Sequence, residues 1–101
     1  MKIRGYDVLE ARDGMEGLQM ARDHQPDLIL LDMQMPVMDG LEAARRLKAD
    51  PSTSGIKILA VTSFAMKGDR ERILEAGCDE YMAKPIDTRQ LPIMVRHLLG
   101  P

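Results

Sequence analysis

The segment "LILLDMQMPVMDG", residues 28–40, constrains the fold more than any other part of the chain. It begins with four consecutive apolar residues and lacks the polar alternation of a strand that has one face in water. A strand of this kind is typical of a parallel sheet that helices cover on both faces. Asp32 follows it directly, so we expect a carboxylate at the point where a buried strand ends.

Strand patterns and helix patterns alternate along the rest of the chain. This alternation predicts an α/β fold, with a parallel sheet, helices on both faces and right-handed connections. The 101 residues are enough for one core, so we expect a single domain over residues 1–101. The predicted strands are residues 6–10, 28–31, 57–62 and 80–83, and the predicted helices are residues 14–24, 40–49, 66–76 and 88–99.

Several residues predict where the helices begin and end. Asp13 and Asp39 are suited to cap the first two helices, because a side-chain oxygen there can accept from a backbone N–H of the first turn. Gly77 is a natural residue to follow the third helix. Pro92 cannot lie in a helix interior, so the last helix, which could begin at Asp87 or Thr88, is expected to begin late, with this proline in its first turn.

Composition and charge exclude several classes of protein. The net charge of −2, with both signs mixed along the chain, lacks the basic excess of a nucleic-acid-binding surface. No apolar run approaches the roughly 20 residues of a membrane span, and the N-terminal residues lack the apolar core of a secretory signal. Cys78 is the only cysteine and cannot form an internal disulfide. We therefore expect a cytoplasmic protein.

Polar side chains follow three of the predicted strands at the point where each strand ends. Asp32 follows "LILL", Thr62 follows "ILAV", and Lys84 follows "YMA". Taken alone, each has an ordinary explanation: a cap, β propensity, or a solvated surface charge. Because parallel strands end at one edge of the sheet, where ligands bind in α/β folds, we expect the three side chains to converge.

The residue types at this edge exclude most catalytic arrangements. His24 and His97 belong to predicted helices away from the edge and are expected at the surface, so no histidine base is available. Cys78 has no metal-ligand companion, and no glycine-rich phosphate loop occurs. A carboxylate nucleophile remains: Asp32 would accept a phosphoryl group, while the ammonium neutralises its charge and the hydroxyl donates a hydrogen bond.

Three segments resemble the response-regulator receiver domain of two-component signalling. They are "LILLDMQMPVMDG", "AVTSFA" and "YMAKPI", and the D-x-x-M-P-x-M-D-G pattern is highly specific. The resemblance covers essentially the whole chain. The segment "SFAMKGDRERILEAGCDEYMAKPI" looks most like single-domain cell-division regulators and the receivers of hybrid histidine kinases. The fold implied is flavodoxin-like, and the function implied is that of a signalling module, not an enzyme.

The resemblance implies a role for each candidate residue. Asp32 would be the phosphoacceptor, taking the group from the phosphohistidine of a histidine kinase or histidine phosphotransfer protein. Lys84 would pair with the phosphoryl group, and Thr62 would move toward it. Tyr81 would be an aromatic switch that turns inward as the threonine moves. Mg²⁺ would be held by Asp32 and by the backbone carbonyl of Gln34.

The resemblance also implies a cis peptide bond and a partner surface. The peptide bond before Pro85 would be cis. Contacts with a downstream protein partner would cluster on the helix at residues 66–76, the strand that contains Tyr81, and the last helix. No DNA-binding or catalytic output segment follows Leu99, so either a change of protein partner would be the output or the domain belongs to a longer protein.

The N-terminal segment departs from the family pattern. A receiver opens with a strand that ends in two adjacent acidic residues, which hold the Mg²⁺, and a first helix follows. Here "MKIRGYDVLEA" matches only the end of that helix and the second strand, so the chain is short relative to the family. Asp7, Glu10 and Asp13 do not replace the acidic pair. We expect weak Mg²⁺ binding and poor phosphorylation.

The same departure affects the sheet and the surface. The family strand order is 2-1-3-4-5, so "YDVLE" would lack its usual neighbour. It could pair directly with "LILL" in a four-stranded sheet, or copies of the chain could pair with each other. Apolar residues of the last helix would be uncovered, which favours a homo-oligomer. These residues are Ile93, Val95, Leu98 and Leu99.

Three functions are compatible with these residues. The first is a phosphoacceptor receiver in a phosphorelay, impaired in Mg²⁺-dependent phosphorylation. The second is a receiver-like interaction module that is not phosphorylated. The third is a phosphatase with an Asp nucleophile, which would need a second acid two residues after Asp32, where this chain has Gln34. The third is therefore disfavoured.

Overall fold

A computed structural model of the protein describes residues 2–33, 37–62, 67–84 and 86–100, without the side chains of residues 37–39 and 67–69. Strands and helices alternate along these ranges, as the sequence predicts. The strands are β1 (Lys2–Ile3), β2 (Tyr6–Ala11), β3 (Leu28–Asp32), β4 (Lys57–Thr62) and β5 (Glu80–Ala83), and the helices are α1 (Gly14–His24), α2 (Val37–Ala49), α3 (Lys67–Glu75) and α4 (Gln90–Leu99).

The described strands form one sheet in the order β1-β2-β3-β4-β5. β2, β3, β4 and β5 are parallel, and β2 pairs directly with β3 in a register that sets Val8 opposite Leu28. Direct pairing of "YDVLE" with "LILL" is thus the arrangement that the structure contains. The strand order places β3 and β4 at the centre of the sheet.

β1 corrects the interpretation of the N-terminal segment. The sequence match aligns the residues before β2 with the end of a helix, and a four-stranded sheet is one of its two expected arrangements. Instead, Lys2 and Ile3 pair antiparallel with β2. Arg4 and Gly5 both have positive φ, 53° and 88°, which is the backbone of a two-residue hairpin turn whose twist suits the flanking strands. The helix assignment is therefore wrong.

Helices cover both faces of the sheet, as predicted. Ile29 and Leu31 pack in a first core cluster with side chains of α1, α2 and α3. Leu28 and Leu30 pack in a second core cluster with side chains of α4. The four side chains of this strand are at most 1% exposed. The unbroken apolar run at residues 28–31 is therefore explained by burial on both faces.

Most helix boundaries follow the predicted signals, with one exception. Asp13 caps α1, because its Oδ1 accepts from the backbone N–H of Glu16 at 2.9 Å. Gly77, with φ of 106°, follows α3, and α4 begins at Gln90, which leaves Pro92 in its first turn. The expected cap at Asp39 is wrong, because α2 begins earlier.

The early start of α2 has a signal in the sequence. α2 begins at Val37, so residue 39 lies inside the helix and not before it. In the sequence, Pro36 stands directly before this start, and the fixed φ of proline suits the beginning of a helix. For the start of α2, the proline was therefore the stronger signal in the sequence and the Asp39-Gly40 pair was the weaker one.

The apolar residues of α4 are more buried than expected. Val95 is fully buried, and Leu98 and Leu99 pack partly buried against the second cluster. The C-terminus of α4 reaches the β1–β2 hairpin, where the Tyr6 hydroxyl donates to the Leu99 carbonyl at 3.1 Å. Of the four residues expected at the surface, Ile93 is the one that is largely exposed, at 68%. The expectation is wrong for Val95, because this side chain packs in the second cluster with residues of β2, β3, β4 and β5.

Asp79 joins three elements at the end of the sheet opposite to Asp32. Its Oδ2 accepts from the backbone N–H of Ile58 at 2.8 Å and lies 2.9 Å from Lys48 Nζ. Lys48 also donates to the carbonyl of Ile56 at 3.0 Å. The loop before β5, the start of β4 and the end of α2 are therefore held together by one carboxylate.

Asp79→Ala is expected to destabilise the protein by about 2 kcal/mol, because the half-buried N–H of Ile58 loses its acceptor and Lys48 loses its counter-ion. Urea unfolding followed by circular dichroism measures this change. Glu71→Ala, at an exposed position of α3, is the matched control. A loss no larger than that of the control would contradict the structural role of Asp79.

Cys78 is expected to be inert in the folded protein. It belongs to the first core cluster, and burial raises the pKa of its thiol to about 12. At pH 8 the thiolate is then about ten-thousandfold less abundant than the thiol, and the thiolate is the reactive form. Ellman's reagent should label it far more slowly in the native protein than in guanidinium. Equal rates in the two states would contradict its burial.

Candidate functional site

The ends of β3, β4 and β5 lie next to one another at one edge of the sheet. Asp32, the last residue of β3, is in register with Val61, and Thr62, the last residue of β4, is in register with Ala83. The ladder continues beyond β5, because the Lys84 N–H donates to the Thr62 carbonyl at 2.8 Å. The parallel topology thus gathers these strand ends, as their position after apolar runs predicts.

The central contact of this edge is an ion pair between residues far apart in the chain. Lys84 Nζ lies 2.6 Å from Asp32 Oδ2. The two side chains are 31% and 15% exposed, so the pair is shielded from bulk water but open to a ligand. A short contact between ammonium and carboxylate is a charge-assisted hydrogen bond. The structure therefore brings two of the predicted site residues into direct contact.

Thr62 is placed beside this pair and is almost fully buried, at 2% exposed. It directly follows Val61, the register partner of Asp32, and its carbonyl holds the backbone of Lys84. Thr62 therefore connects β4, the strand beside Asp32, to the backbone of Lys84 at the end of β5. A shift of the Thr62 backbone would move the Lys84 backbone and the end of β4.

Tyr81 lies on β5, which β4 separates from the strand of Asp32, and it borders a groove. It is partly buried against the first core cluster, and the Arg70 guanidinium lies 5.6 Å from its ring centre. A guanidinium at this distance from a ring makes a cation–π contact. The groove has a volume of about 370 Å³ and runs between α3, β5 and α4, where Met94 and Gln90 line it. These elements are the ones expected to form a partner surface.

The described residues fit a magnesium site poorly. Over residues 2–33, 37–62, 67–84 and 86–100, no group of three His, Cys, Asp or Glu side chains could hold a metal ion. Asp13 comes after β2, but its carboxylate is used as the cap of α1. The carbonyl of Gln34 and the peptide bond before Pro85 lie outside the described residues. Asp32 alone is a thin ligand set for an ion that prefers octahedral oxygen coordination.

The remaining candidates are placed away from this edge. His24 ends α1 and His97 lies in the last turn of α4, and both are exposed, as expected. Within the described ranges, no helix combines the length and apolarity needed to cross a bilayer. Sequence reasoning missed Arg70, because its contact with Tyr81 joins a helix to a strand and leaves no local pattern.

Comparison with known proteins places the whole architecture in one family. A family model of the response regulator receiver domain matches residues 1–96. The polar-differentiation response regulator DivK of Brucella anthropi is 46% identical over 100 residues, which are 99% of this chain and 81% of that protein. The homologue from Brucella ovis is equally similar, at 46% identity over 100 residues.

Solved structures agree with the sequence comparison. The receiver domain of the sensor histidine kinase PA1611 from Pseudomonas aeruginosa superposes with a TM-score of 0.80 at 27% identity, over 95% of this chain and 98% of that one. That structure has a magnesium ion coordinated in its active-site cleft. The receiver domain of a signal transduction histidine kinase from Syntrophus aciditrophicus gives a TM-score of 0.76 at 27% identity, over 93% and 89% of the two chains. This chain belongs to the response regulator receiver domain family.

Proposed function

We propose that this protein is a signalling module, not an enzyme, that accepts a phosphoryl group on Asp32 and thereby changes its protein partner. The donor is the phosphohistidine of a histidine kinase or of a histidine phosphotransfer protein. The observation that carries the proposal is the contact of 2.6 Å between Lys84 Nζ and Asp32 Oδ2. The contact supports the proposal, because a positive charge beside Asp32 would stabilise a phosphoryl group there.

Transfer of the phosphoryl group to Asp32 needs few side chains of the protein. An oxygen of the Asp32 carboxylate attacks the phosphorus, a P–O bond forms, and the P–N bond to the donor histidine breaks. A carboxylate nucleophile needs no general base to activate it. Negative charge builds on the phosphoryl oxygens, and the Lys84 ammonium, held within the site, stabilises it. The buried hydroxyl of Thr62 supplies a hydrogen bond as the threonine moves toward the new group.

The response then reaches the partner surface through Tyr81. When Thr62 moves toward the phosphoryl group, it leaves space between β4 and β5, and the Tyr81 ring turns inward to fill it. The groove of α3, β5 and α4 changes shape, because Tyr81 is one of its walls. A change of shape in this groove is the output by which a downstream partner is gained or released.

Phosphorylation that depends on Mg²⁺ is impaired in this chain. A structural neighbour coordinates magnesium in its active-site cleft. Here the described residues contain no group of three metal-ligating side chains, so Asp32 and the backbone carbonyl of Gln34 would be the main protein ligands. The same observation favours the second candidate function, a receiver-like interaction module that takes no phosphate.

Phosphorylation separates the two candidates. Incubation with a phosphorylated histidine kinase or phosphotransfer protein from the same organism should label the wild-type protein and leave Asp32→Asn unlabelled. Lys84→Met should label at least about tenfold more slowly, because it removes charge stabilisation at the phosphoryl group. Asp23→Asn, at an exposed position of α1, is the matched control. Intact mass spectrometry measures the labelled fraction.

Two outcomes would contradict the proposal in different ways. Absence of label from every phosphorylated donor would support the interaction module and remove the phosphoacceptor. Rapid labelling by a small phosphodonor that requires Mg²⁺ would keep the phosphoacceptor and contradict the impaired use of the metal.

Self-association is the second part of the proposed behaviour. Among the described residues, β1 pairs with Tyr6 and Asp7, while Leu9, Glu10 and Ala11 at the end of β2 extend beyond it. A sheet edge of this kind can pair with another chain. Light scattering at micromolar concentration should show a dimer or a larger assembly. A monomer at that concentration would contradict this part of the proposal.

A further inference from the structure

The direct pairing of β2 with β3 places an arginine at the strand end beside Asp32. Ala11, the last residue of β2, is in register with Leu31. Arg12 directly follows the end of β2, and Asp32 directly follows Leu31 in β3. Neighbouring strands lie about 4.8 Å apart, so Arg12 stands at a distance that its long side chain spans easily. The site edge therefore has one cation on each side of the carboxylate, Arg12 from β2 and Lys84 from β5.

Arg12 is held in place by a weak contact. Its Nη2 lies 3.3 Å from Glu16 Oε2, its backbone N–H donates to Glu16 Oε1 at 3.2 Å, and its side chain is 80% exposed. An exposed ion pair of this geometry contributes little free energy. A phosphoryl group with two negative charges and three oxygens is a stronger partner for a guanidinium than one carboxylate is.

We propose that Arg12 binds the phosphoryl group on Asp32 and, with Lys84, supplies the positive charge that a divalent cation supplies in relatives with a metal site. The inference rests on the proposed function and deepens it. Arg12 leaves Glu16 and donates in a bidentate manner to two phosphoryl oxygens. The phosphorylation of this chain is therefore slow and insensitive to Mg²⁺.

The acidic residues near this strand end do not offer a metal site instead. Asp13 accepts from the backbone N–H of Glu16 at 2.9 Å, and Glu16 is paired with Arg12. No group of three metal-ligating side chains exists across the described part of the chain. The two carboxylates lower the net positive charge of the edge, which is a further reason for slow phosphorylation.

The test uses the full chain and phosphoramidate as the donor, with Mg²⁺ and separately with EDTA. In the reaction, an Asp32 oxygen forms a P–O bond, the P–N bond breaks, and ammonia leaves with the electron pair of that bond. Intact mass spectrometry over several hours gives the rate, and Asp32→Asn gives the background. Circular dichroism verifies that each variant is folded.

The variants separate charge from structure. Arg12→Gln should slow labelling about tenfold, which is less than the roughly hundredfold effect of a buried donor, because Arg12 is exposed. Arg12→Lys should restore part of the rate, since it keeps the charge and loses the bidentate geometry. Glu16→Gln, which releases Arg12, should label at least as fast as the wild type. Arg22→Gln, an exposed arginine of the last turn of α1, is the matched control and should label like the wild type. EDTA should change the wild-type rate less than about twofold if cations of the protein replace the metal.

The outcomes distinguish this inference from the proposed function. Wild-type labelling that Arg12→Gln leaves unchanged would overturn the role of Arg12 and leave the phosphoacceptor standing. Labelling that EDTA abolishes, or that is slower in Asp13→Asn and Glu16→Gln, would show that a metal ion held by these acids stabilises the phosphoryl group. That result would overturn the inference. Absence of label on wild-type Asp32 from phosphoramidate and from phosphohistidine donors would overturn both.

Discussion

The structure depends on the burial of β3 between β2 and β4. Leu28, Leu30 and Leu31 can leave water only if strands flank them on both sides and helices cover both faces. Once the strand is placed in this way, Asp32 must emerge at the carboxyl edge between the ends of its two neighbours. The position of the Asp32 carboxylate is thus a consequence of how the core packs around β3.

The strands on the two sides of β3 determine which side chains lie next to Asp32. On the β4 side, Thr62 holds the backbone of Lys84, whose ammonium contacts the carboxylate. On the β2 side, α1 packs closely on the sheet because residue 17 is a glycine: a Cβ there would meet Leu31 Cδ1 at 3.0 Å and Ala11 Cβ at 3.6 Å. This close packing fixes the end of β2 beside the end of β3. The end of β2, which Arg12 follows, and Lys84 therefore lie on the two sides of the Asp32 strand end.

The strands and most of the helices could be predicted from the sequence, because their signals lie in short stretches of neighbouring residues. Residues 57–62, 80–83 and 14–24 have the predicted boundaries, since each has an apolar run or period and a cap or turn beside it. The hairpin at Lys2–Ile3 was missed, because two residues have no periodicity and its signal is the turn. The burial of Val95 and the contact between Arg70 and Tyr81 were also missed.

The last two failures, at Val95 and at the contact between Arg70 and Tyr81, have a common cause. They depend on which element packs against which, and this is set by the strand order, not by neighbouring residues. The convergence of the strand ends could be predicted, because all parallel strands end at one edge. The place of Arg12 beside Asp32 could not, because it depends on β2 pairing directly with β3. The chemical roles of the site residues remain predictions.

The direct pairing of β2 with β3 is the claim on which the charge environment of Asp32 depends most. Nuclear Overhauser effects between backbone protons of the two strands measure it directly, and mixing labelled with unlabelled protein separates contacts within one chain from contacts between copies. The structure predicts contacts within one chain between Leu9 and Ile29 and between Ala11 and Leu31. Absence of these contacts, or their appearance only between copies, would contradict the account.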